Sequence, residues 1–275
     1  MPPGLKAFLA RLEQADNGPG EATRLYIFDQ HQNPELMGSL HASSLGLPYT
    51  ALPLFAGTGN LHMANHGPLW CEFPAHSTLS RGALYRASKN ASGIALEADN
   101  PNAAQLHARD LIHLHEGSGL SLSAYYRPAK WAALALTAQP GLFGPWRRVY
   151  SPAPKHIGNP RGPWLRWDAP AAGDPLEPPY RQPPETAATH RTLRWLYWLD
   201  QHFEAFGQPT SAQLPALLSN LEFLTEHDII EADWLLNLAR LCLGGPLVER
   251  ANVLSILEEP NAAFNHYLQL QALRP

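Results

Sequence analysis

The sequence predicts an α/β domain, with a mixed sheet and flanking helices, followed by an all-α helical domain. Up to residue 152, short apolar runs alternate with helix-like stretches, which is the pattern of an α/β fold. Prolines are then frequent, and after residue 184 apolar residues recur with the 3.6-residue period of helices. We therefore divide the chain into an α/β domain at 1–152, a proline-rich strap or linker at 153–184, and a helical bundle at 185–275.

Six strands are predicted in the first domain, because each is an apolar run bounded by turn residues. They are residues 24–28, 52–55, 69–73, 93–97, 110–115 and 120–125. The last two fit an antiparallel hairpin, since Gly117-Ser118-Gly119 supplies a turn between two alternating apolar patterns. An antiparallel pair among strands that are otherwise separated by helices predicts a mixed sheet.

Helices are predicted between these strands and throughout the second domain. In the first domain they are residues 4–15, 34–44, 78–88, 101–108 and 129–138. Asn100 is a candidate N-cap, with Pro101 at the first helical position. In the second domain they are residues 186–206, 211–225, 229–243, 247–257 and 261–272, with glycine and proline between them as stop signals.

The segment between the two domains is rich in proline. Residues 152–184 contain ten prolines and three glycines, a composition that disfavours helices and favours extended backbone. Trp164 and Trp167 lie within it, whereas a disordered linker normally lacks aromatic residues. We expect residues 153–184 to pack along the surface as a strap.

Composition limits the class of protein and its compartment. Charged residues make up 16% of the chain, against roughly 25% in a typical soluble domain, so more of the surface is neutral or apolar and available for binding. Cys71 and Cys242 are the only cysteines, which indicates a reducing compartment, although a single bridge stays open. The start lacks a signal-peptide pattern, and no run of about 18 apolar residues occurs. We expect a cytoplasmic protein without a membrane partner.

Charge is distributed unevenly along the chain. Residues 1–184 contain 15 Lys and Arg against 13 Asp and Glu, a net charge of +2, whereas residues 185–275 contain 5 against 11, a net charge of −6. Between Gly117 and Trp167 no residue is acidic. The basic residues in that stretch are Arg127, Lys130, Arg147, Arg148, Lys155, Arg161 and Arg166. We expect this basic stretch to face the acidic C-terminal part, water or a partner protein.

Catalytic motifs are scarce. His113 and His115 lie two apart on the predicted strand 110–115 and would share a face, as two ligands of a metal site do, but no third ligand is evident. Cys71 lies in an apolar strand pattern, which favours an inert buried thiol. Neither a Gly-x-Ser-x-Gly elbow nor a phosphate-binding glycine loop occurs. A metal-dependent enzyme using the His113/His115 face stays open as an alternative.

Nucleic-acid binding is a second alternative. Basic residues are interleaved with tryptophans between residues 127 and 167, and such residues can neutralise phosphates and stack on bases. The sequence pI near 6.3 and the acidic second domain oppose this interpretation.

Six short motifs occur in a recognisable order. They are Leu25-Tyr26-Ile27-Phe28-Asp29, Leu54-Phe55-Ala56-Gly57-Thr58, Gly67-Pro68-Leu69-Trp70, Gly93-Ile94-Ala95-Leu96, Tyr125-Tyr126-Arg127-Pro128 and Phe143-Gly144-Pro145. Over residues 24 to about 150, this series resembles the domain family of bacterial type VI secretion adaptor chaperones. The resemblance implies a cytoplasmic protein, not an enzyme and without a cofactor, that binds a toxic effector and helps to load it onto the valine-glycine repeat spike protein.

The chain departs from that family's pattern at one point. Many relatives carry an Arg before the Tyr-Tyr pair and an Asp before the proline, whereas this chain has Ala124 and Arg127. We therefore expect the structural ion pair of those two family residues to be missing here. A helical C-terminal extension, which is usual in the family, agrees with the second domain.

Candidate partner-binding residues cluster near the junction of the two domains. They are Tyr126, Arg127, Trp131, Trp146, Arg147 and Arg148, chosen because aromatic and arginine side chains dominate interface energetics. Tyr126 and Trp131 are also candidates for the core, which leaves Arg147 and Arg148 as the stronger pair. Replacing both arginines with Glu is expected to weaken partner capture without unfolding the chain.

Overall fold

The computed structural model describes residues 1–20, 23–44, 46–114, 122–139, 141–158, 160–170 and 181–273. Within them, six strands form one sheet: β1 (Leu25–Asp29), β2 (Thr50–Pro53), β3 (Pro68–Glu72), β4 (Ile94–Ala98), β5 (Trp146–Pro152) and β6 (Trp164–Asp168). The strand order is β2-β3-β1-β4-β5-β6, and each neighbouring pair is antiparallel.

Eleven α-helices lie in the described residues. Five come before β5: α1 (Leu5–Leu12), α2 (Leu36–Ser44), α3 (Thr78–Asn90), α4 (Pro101–Asp110) and α5 (Pro128–Leu136). Six follow β6: α6 (Pro184–Gln201), α7 (Leu214–Glu226), α8 (Ala232–Asn237), α9 (Ala239–Leu243), α10 (Ala251–Glu258) and α11 (Ala263–Ala272). Short 3₁₀ helices cover Leu61–Met63, Leu111–His113 and Leu247–Glu249.

The start of α4 is set by its sequence as expected. The side chain of Asn100 accepts a hydrogen bond from the backbone N–H of Ala103 at 3.1 Å, and Pro101 occupies the first helical position. The predicted N-cap is therefore confirmed.

The sheet has helices on both faces. On one face, Tyr26 and Phe28 of β1 pack with buried side chains of α2 and α3. On the other, Leu25 and Ile27 belong to a larger apolar cluster that includes α1, α4 and α5. Because β1 is buried on both faces, its first four residues are apolar without alternation.

The larger cluster continues from the sheet into the helices after residue 184. It contains Trp131 of α5, Leu193 and Leu196 of α6, and apolar residues of α7 to α11. One continuous core therefore includes residues from both sides of the predicted junction, and α6 packs against α5 at that junction.

The prediction of a mixed sheet is wrong. β1 leads through α2 to β2, and β3 leads through α3 to β4. The two strands joined by each of these helices run in the same direction. In each case another strand lies between the connected pair: β3 separates β1 from β2, and β1 separates β3 from β4. Hydrogen-bonded neighbours are consequently antiparallel, as in a split βαβ arrangement.

The prediction of a strand at 110–115 is wrong in its described part. α4 continues to Asp110, and a 3₁₀ turn covers Leu111–His113. The buried residues Ala104, His107, Ala108 and Leu111 follow the i, i+3, i+4, i+7 spacing of a helix, so the apolar run ends a helix rather than forming a strand.

The hairpin partner at 120–125 is not a strand in its described residues, 122–125. The backbone N–H of Ser123 donates to the carbonyl oxygen of Ile112 at 2.8 Å, but the described residues form no strand ladder here. The predicted turn Gly117-Ser118-Gly119 lies outside the described residues.

Two strands were not predicted. β5 begins at Trp146, and β6 lies inside the proline-rich segment 153–184, where Trp164, Leu165 and Trp167 are buried. β6 is the edge strand beside β5, a position that tolerates flanking prolines.

Predicted helices agree with the structure apart from their ends and two interruptions. The predicted helix 186–206 ends at Gln201 as α6, and 229–243 is divided into α8 and α9. The first turn of 247–257 is 3₁₀.

Candidate functional site

A cleft lies where α6 crosses the beginning of α5, and we call it the junction cleft. Its volume is about 470 Å³, which is within the range of roughly 300–1,000 Å³ for ligand sites. Its basic lining residues are Arg127, Lys130, His190 and Arg194, and its other polar ones include Ser123, Gln182 and Gln201. Leu114, Leu122, Tyr197 and Trp198 supply apolar and aromatic walls. None of the described side chains that line it is acidic.

An ion pair stands at the edge of this cleft. Arg127, the residue before α5, places Nε 2.7 Å from Oδ2 of Asp29, the last residue of β1. The Asp29 side chain is fully buried, and its Oδ1 accepts the backbone N–H of His31 at 3.0 Å. The Arg127 side chain is 42% exposed, so part of its guanidinium faces the cleft.

Arg127 therefore makes an ion pair that the resemblance to the adaptor family did not lead us to expect. The ion pair that we expected to be missing joins positions 124 and 127 in the family. In this chain Arg127 instead pairs with a carboxylate on β1. A buried acidic residue directly after an apolar strand was the signal that could have identified this partner, because such a carboxylate requires a cation or several donors.

The two tyrosines before Arg127 hold this segment in the core. Tyr125 is fully buried and donates its hydroxyl to the carbonyl oxygen of Ala108 at 2.8 Å. Burial raises the pKa of Tyr126 to about 12, with the nearby Asp29 carboxylate adding to the shift. Both phenols are therefore neutral anchors at ordinary pH.

Three predicted partner-binding residues lie in the core instead of at the surface. Tyr126, Trp131 and Trp146 are 6%, 0% and 1% exposed. The rings of Trp131 and Trp146 lie 5.7 Å apart, and the Trp146 indole donates to the carbonyl oxygen of Ala104 at 3.1 Å. These side chains belong to the larger core cluster and do not present a surface to a partner.

Lys130 brings a positive charge into the floor of the cleft. It lies in the first turn of α5 and is 3% exposed. Its ammonium donates to Oε1 of Gln182 at 2.7 Å, and Nε2 of Gln182 donates to the carbonyl oxygen of Leu114 at 3.0 Å. Gln182 thus joins α5 to the segment that precedes α6.

The opposite wall of the cleft comes from α6. Arg194 and Trp198 are one turn apart, so both reach the same side of the helix. Tyr197 is buried and donates its hydroxyl to the carbonyl oxygen of Pro152 at 2.6 Å, which joins α6 to the end of β5. The sequence analysis did not identify Arg194 or Trp198, although their i, i+4 spacing on a predicted helix was a usable signal.

A second cavity, of about 560 Å³, adjoins the junction cleft and shares Gln32, Ala91, Tyr197 and Gln201 with it. Lys89, Lys155 and His156 line it, together with Asp200. The Asp200 carboxylate accepts the backbone N–H groups of three successive residues, Lys155, His156 and Ile157, at 2.7, 2.7 and 3.0 Å. Asp200 is therefore committed to structure and joins α6 to the chain after β5.

Arg147 and Arg148 were the stronger pair among the predicted partner-binding residues. Neither of them lines the junction cleft. Arg147 is 64% exposed and lies 3.2 Å from a carboxylate oxygen of Asp99. Arg148 lies between two carboxylates, at 3.0 Å from Glu97 and 2.6 Å from Asp168. Arg148 thus belongs to a charge network on the sheet, and its replacement by Glu is no longer expected to be neutral for folding.

Four arginines of the basic stretch pair with carboxylates in the first part of the chain. Among the described residues, Arg127 pairs with Asp29, Arg147 with Asp99, Arg148 with Glu97, and Arg166 with Asp168. No ion pair between it and the helices after residue 184 is found in that part of the chain.

The nucleic-acid alternative depended on exposed tryptophans in the same stretch. Trp131, Trp146, Trp164 and Trp167 are all buried. They therefore offer no surface on which bases could stack.

The metal alternative depended on a strand that carries two histidines. His113 lies in a 3₁₀ turn, and His115 lies outside the described residues. The described residues contain no group of three or more His, Cys, Asp or Glu positioned to hold a metal ion. The strand on which this alternative rested is not formed in its described residues, 110–114.

Both cysteines are free and buried. Burial raises the pKa of Cys242 to about 12 and that of Cys71 further, so both are inert thiols. Among the helices that the structure describes, none has the length and apolarity needed to cross a membrane.

Comparison of this chain with known protein families, with curated proteins and with solved structures finds no match. The functional assignment therefore depends on the residues and on the geometry of the junction cleft.

Proposed function

We propose that this protein is a non-enzymatic adaptor that binds a type VI secretion effector in the bacterial cytoplasm and assists its loading onto the valine-glycine repeat spike protein. The observation that carries the proposal is the meeting of two family-like motifs at the junction cleft. The motif at 25–29 ends in Asp29, the motif at 125–128 contains Arg127, and these two residues form the ion pair at the edge of the cleft.

Two further motifs support the same framework. Gly93 has a φ of 108°, and a Cβ there would collide with the backbone oxygen of Ile27 in β1. Gly144 has a φ of 46°, and a Cβ there would lie 2.6 Å from the His107 ring. Only glycine fits both places. The motifs are therefore explained as requirements of the fold that builds the cleft.

The cleft lining also agrees with recognition of a protein segment. Arginine, tyrosine and tryptophan are enriched at the centres of protein interfaces, and the cleft combines Arg127 and Arg194 with Tyr197 and Trp198. Apolar walls beside positively charged groups can bind an extended protein segment that carries both apolar and acidic side chains.

The test is affinity capture of the tagged full chain from its native cell, followed by mass spectrometry and size-exclusion chromatography of the recovered complex. The proposal predicts that one large toxin-like protein co-elutes in a fixed ratio, with or without a spike protein. A folded, normally abundant chain that elutes alone would contradict it.

A further inference from the structure

We infer that the junction cleft binds an acidic segment of a partner protein, whose carboxylates are held by Arg127 and Arg194. The identity of that partner as an effector rests on the proposed function, whereas the acidic character of the segment rests on the cleft alone.

The charge of the cleft favours an anionic ligand. Two guanidinium groups enter it from different elements: Arg127 before α5 and Arg194 on α6. Asp29, the neighbouring carboxylate, is held by Arg127 and by the N–H of His31. Arg194 adds a positive charge that no described lining residue balances, because none of them is acidic, and a concave site focuses such a charge on an anionic ligand.

The guanidinium groups are placed to accept such a ligand. Arg127 uses Nε for Asp29, and its terminal NH₂ groups make no hydrogen bond to a described residue. Arg194 is exposed, with no carboxylate of the described residues within ion-pair distance, and its Cζ lies 5.7 Å from the Trp195 ring. Guanidinium forks bind carboxylates through paired, charge-assisted hydrogen bonds.

A buried hydroxyl in the cleft also lacks an acceptor that a ligand could supply. Ser123 lines the cleft and is 7% exposed, yet its Oγ has no hydrogen-bond partner among the described residues. A buried polar group without a partner is costly. A carboxylate in the cleft would accept this hydroxyl and remove that cost.

The extent of the site favours a peptide over a small anion. The cleft of about 470 Å³ continues into the adjoining cavity of about 560 Å³, which Lys89 and Lys155 line. Trp198 and Leu122 present apolar surface beside the arginines. An acidic segment with interspersed apolar side chains would use the charge, the walls and the length of this site together.

The experiment measures fluorescence anisotropy of a labelled peptide of about eight residues, alternating Glu and Leu, added to the full chain at low salt. The matched peptide carries Gln in place of each Glu. We expect the Glu peptide to bind at least about tenfold more tightly, and its affinity to fall as salt is raised.

Variants then localise the binding to the cleft. Arg194→Gln is expected to lower the affinity for the Glu peptide at least about fivefold, since one charged contact is lost. Arg191→Gln, on the same helix but paired with Glu222 at 3.2 Å, is the control and should leave the affinity unchanged. Ser123→Ala should lower the affinity for the Glu peptide. Its fold should be at least as stable as that of the wild type, because the change removes a hydroxyl without a hydrogen-bond partner.

Equal binding of the Glu and Gln peptides, or an Arg194→Gln variant that binds as the wild type does, overturns the inference. So does binding of inorganic phosphate or ATP that depends on Arg194 while the Glu peptide does not bind, because the occupant is then a small anion. The peptide assay is independent of native capture: a chain that binds the peptide but captures no effector contradicts only the adaptor proposal.

Discussion

Arg127 and Asp29, 98 residues apart in sequence, form an ion pair with 2.7 Å between Nε and Oδ2. The pair joins the end of the central strand β1 to the start of α5. Because the Asp29 carboxylate is fully buried while Arg127 is 42% exposed, the aspartate depends on the arginine far more than the reverse.

Removal of Arg127 is expected to destabilise the fold. Arg127→Ala leaves a buried carboxylate with the His31 N–H as its remaining partner, and we expect the free energy of unfolding to fall by about 2–3 kcal/mol. The double variant Asp29→Asn with Arg127→Ala should lose less than the sum of the two single changes. Urea unfolding of the four proteins measures this, and additive losses would show that the pair is not coupled.

His107 gives the stability of the protein a dependence on pH. It is buried beside Trp146, one ring nitrogen lies 2.9 Å from the carbonyl oxygen of Leu142, and burial lowers its pKa. The unfolded chain therefore takes up a proton at this histidine before the folded chain does. The neutral His107 side chain makes its full contribution to the free energy of unfolding above about pH 6.5. That contribution is lost as the pH falls below this value.

His107→Gln tests this directly, because a Gln amide can still donate to Leu142 but does not titrate. We expect the loss of unfolding free energy between pH 7.5 and 5.5 to be smaller in the variant than in the wild type. Identical losses in the two proteins would assign the pH dependence to other groups.

Asp200 is expected to be a major stabilising residue of α6. Asp200→Ala leaves three successive backbone N–H groups without their acceptor, and we expect a loss of about 2–3 kcal/mol. Asp200→Asn keeps an oxygen acceptor and should lose less. Glu204→Ala, at an exposed position of the following turn, is the control and should stay within about 0.5 kcal/mol of the wild type. Chemical unfolding gives all three values.

Arg147 and Arg148 are expected to respond differently to the same substitution. Arg148→Glu places a carboxylate against Glu97 and Asp168, so we expect a loss of about 1–3 kcal/mol from lost pairing and added repulsion. Arg147→Glu removes an exposed pair and should lose at most about 1 kcal/mol. Thermal unfolding compares the two. Similar midpoints for both variants would show that the network around Arg148 adds little.

Much of the fold follows from local patterns. The helices and four strands agree in type because each has its own period, caps or bounding turns, as with Asn100 and Pro101 at the start of α4. Strand direction does not follow from local pattern: whether β3 is inserted between β1 and β2 is decided by packing between distant parts of the chain. The helix that ends at Asp110 was mistaken for a strand because a short apolar run fits either structure.

The candidate site was only partly predictable. Arg127 was identified from its motif and lines the cleft. Trp131 and Trp146 were identified from residue type, but type alone does not distinguish an interface aromatic from a core one. Arg194 was missed because its i, i+4 spacing with Trp198 indicates a shared helix face but not what that face lies against, which depends on contact between α5 and α6, about 60 residues apart in the chain.

Native capture with the tagged wild-type chain, beside its Arg194→Glu variant and the Arg191→Gln control, tests the adaptor function and its binding site together. The account predicts that the wild type and the control recover one large effector protein in a fixed ratio, and that Arg194→Glu, equally folded and abundant, recovers much less. Wild-type chain that elutes alone would contradict the adaptor function, and equal recovery by all three would contradict the junction cleft as its binding site.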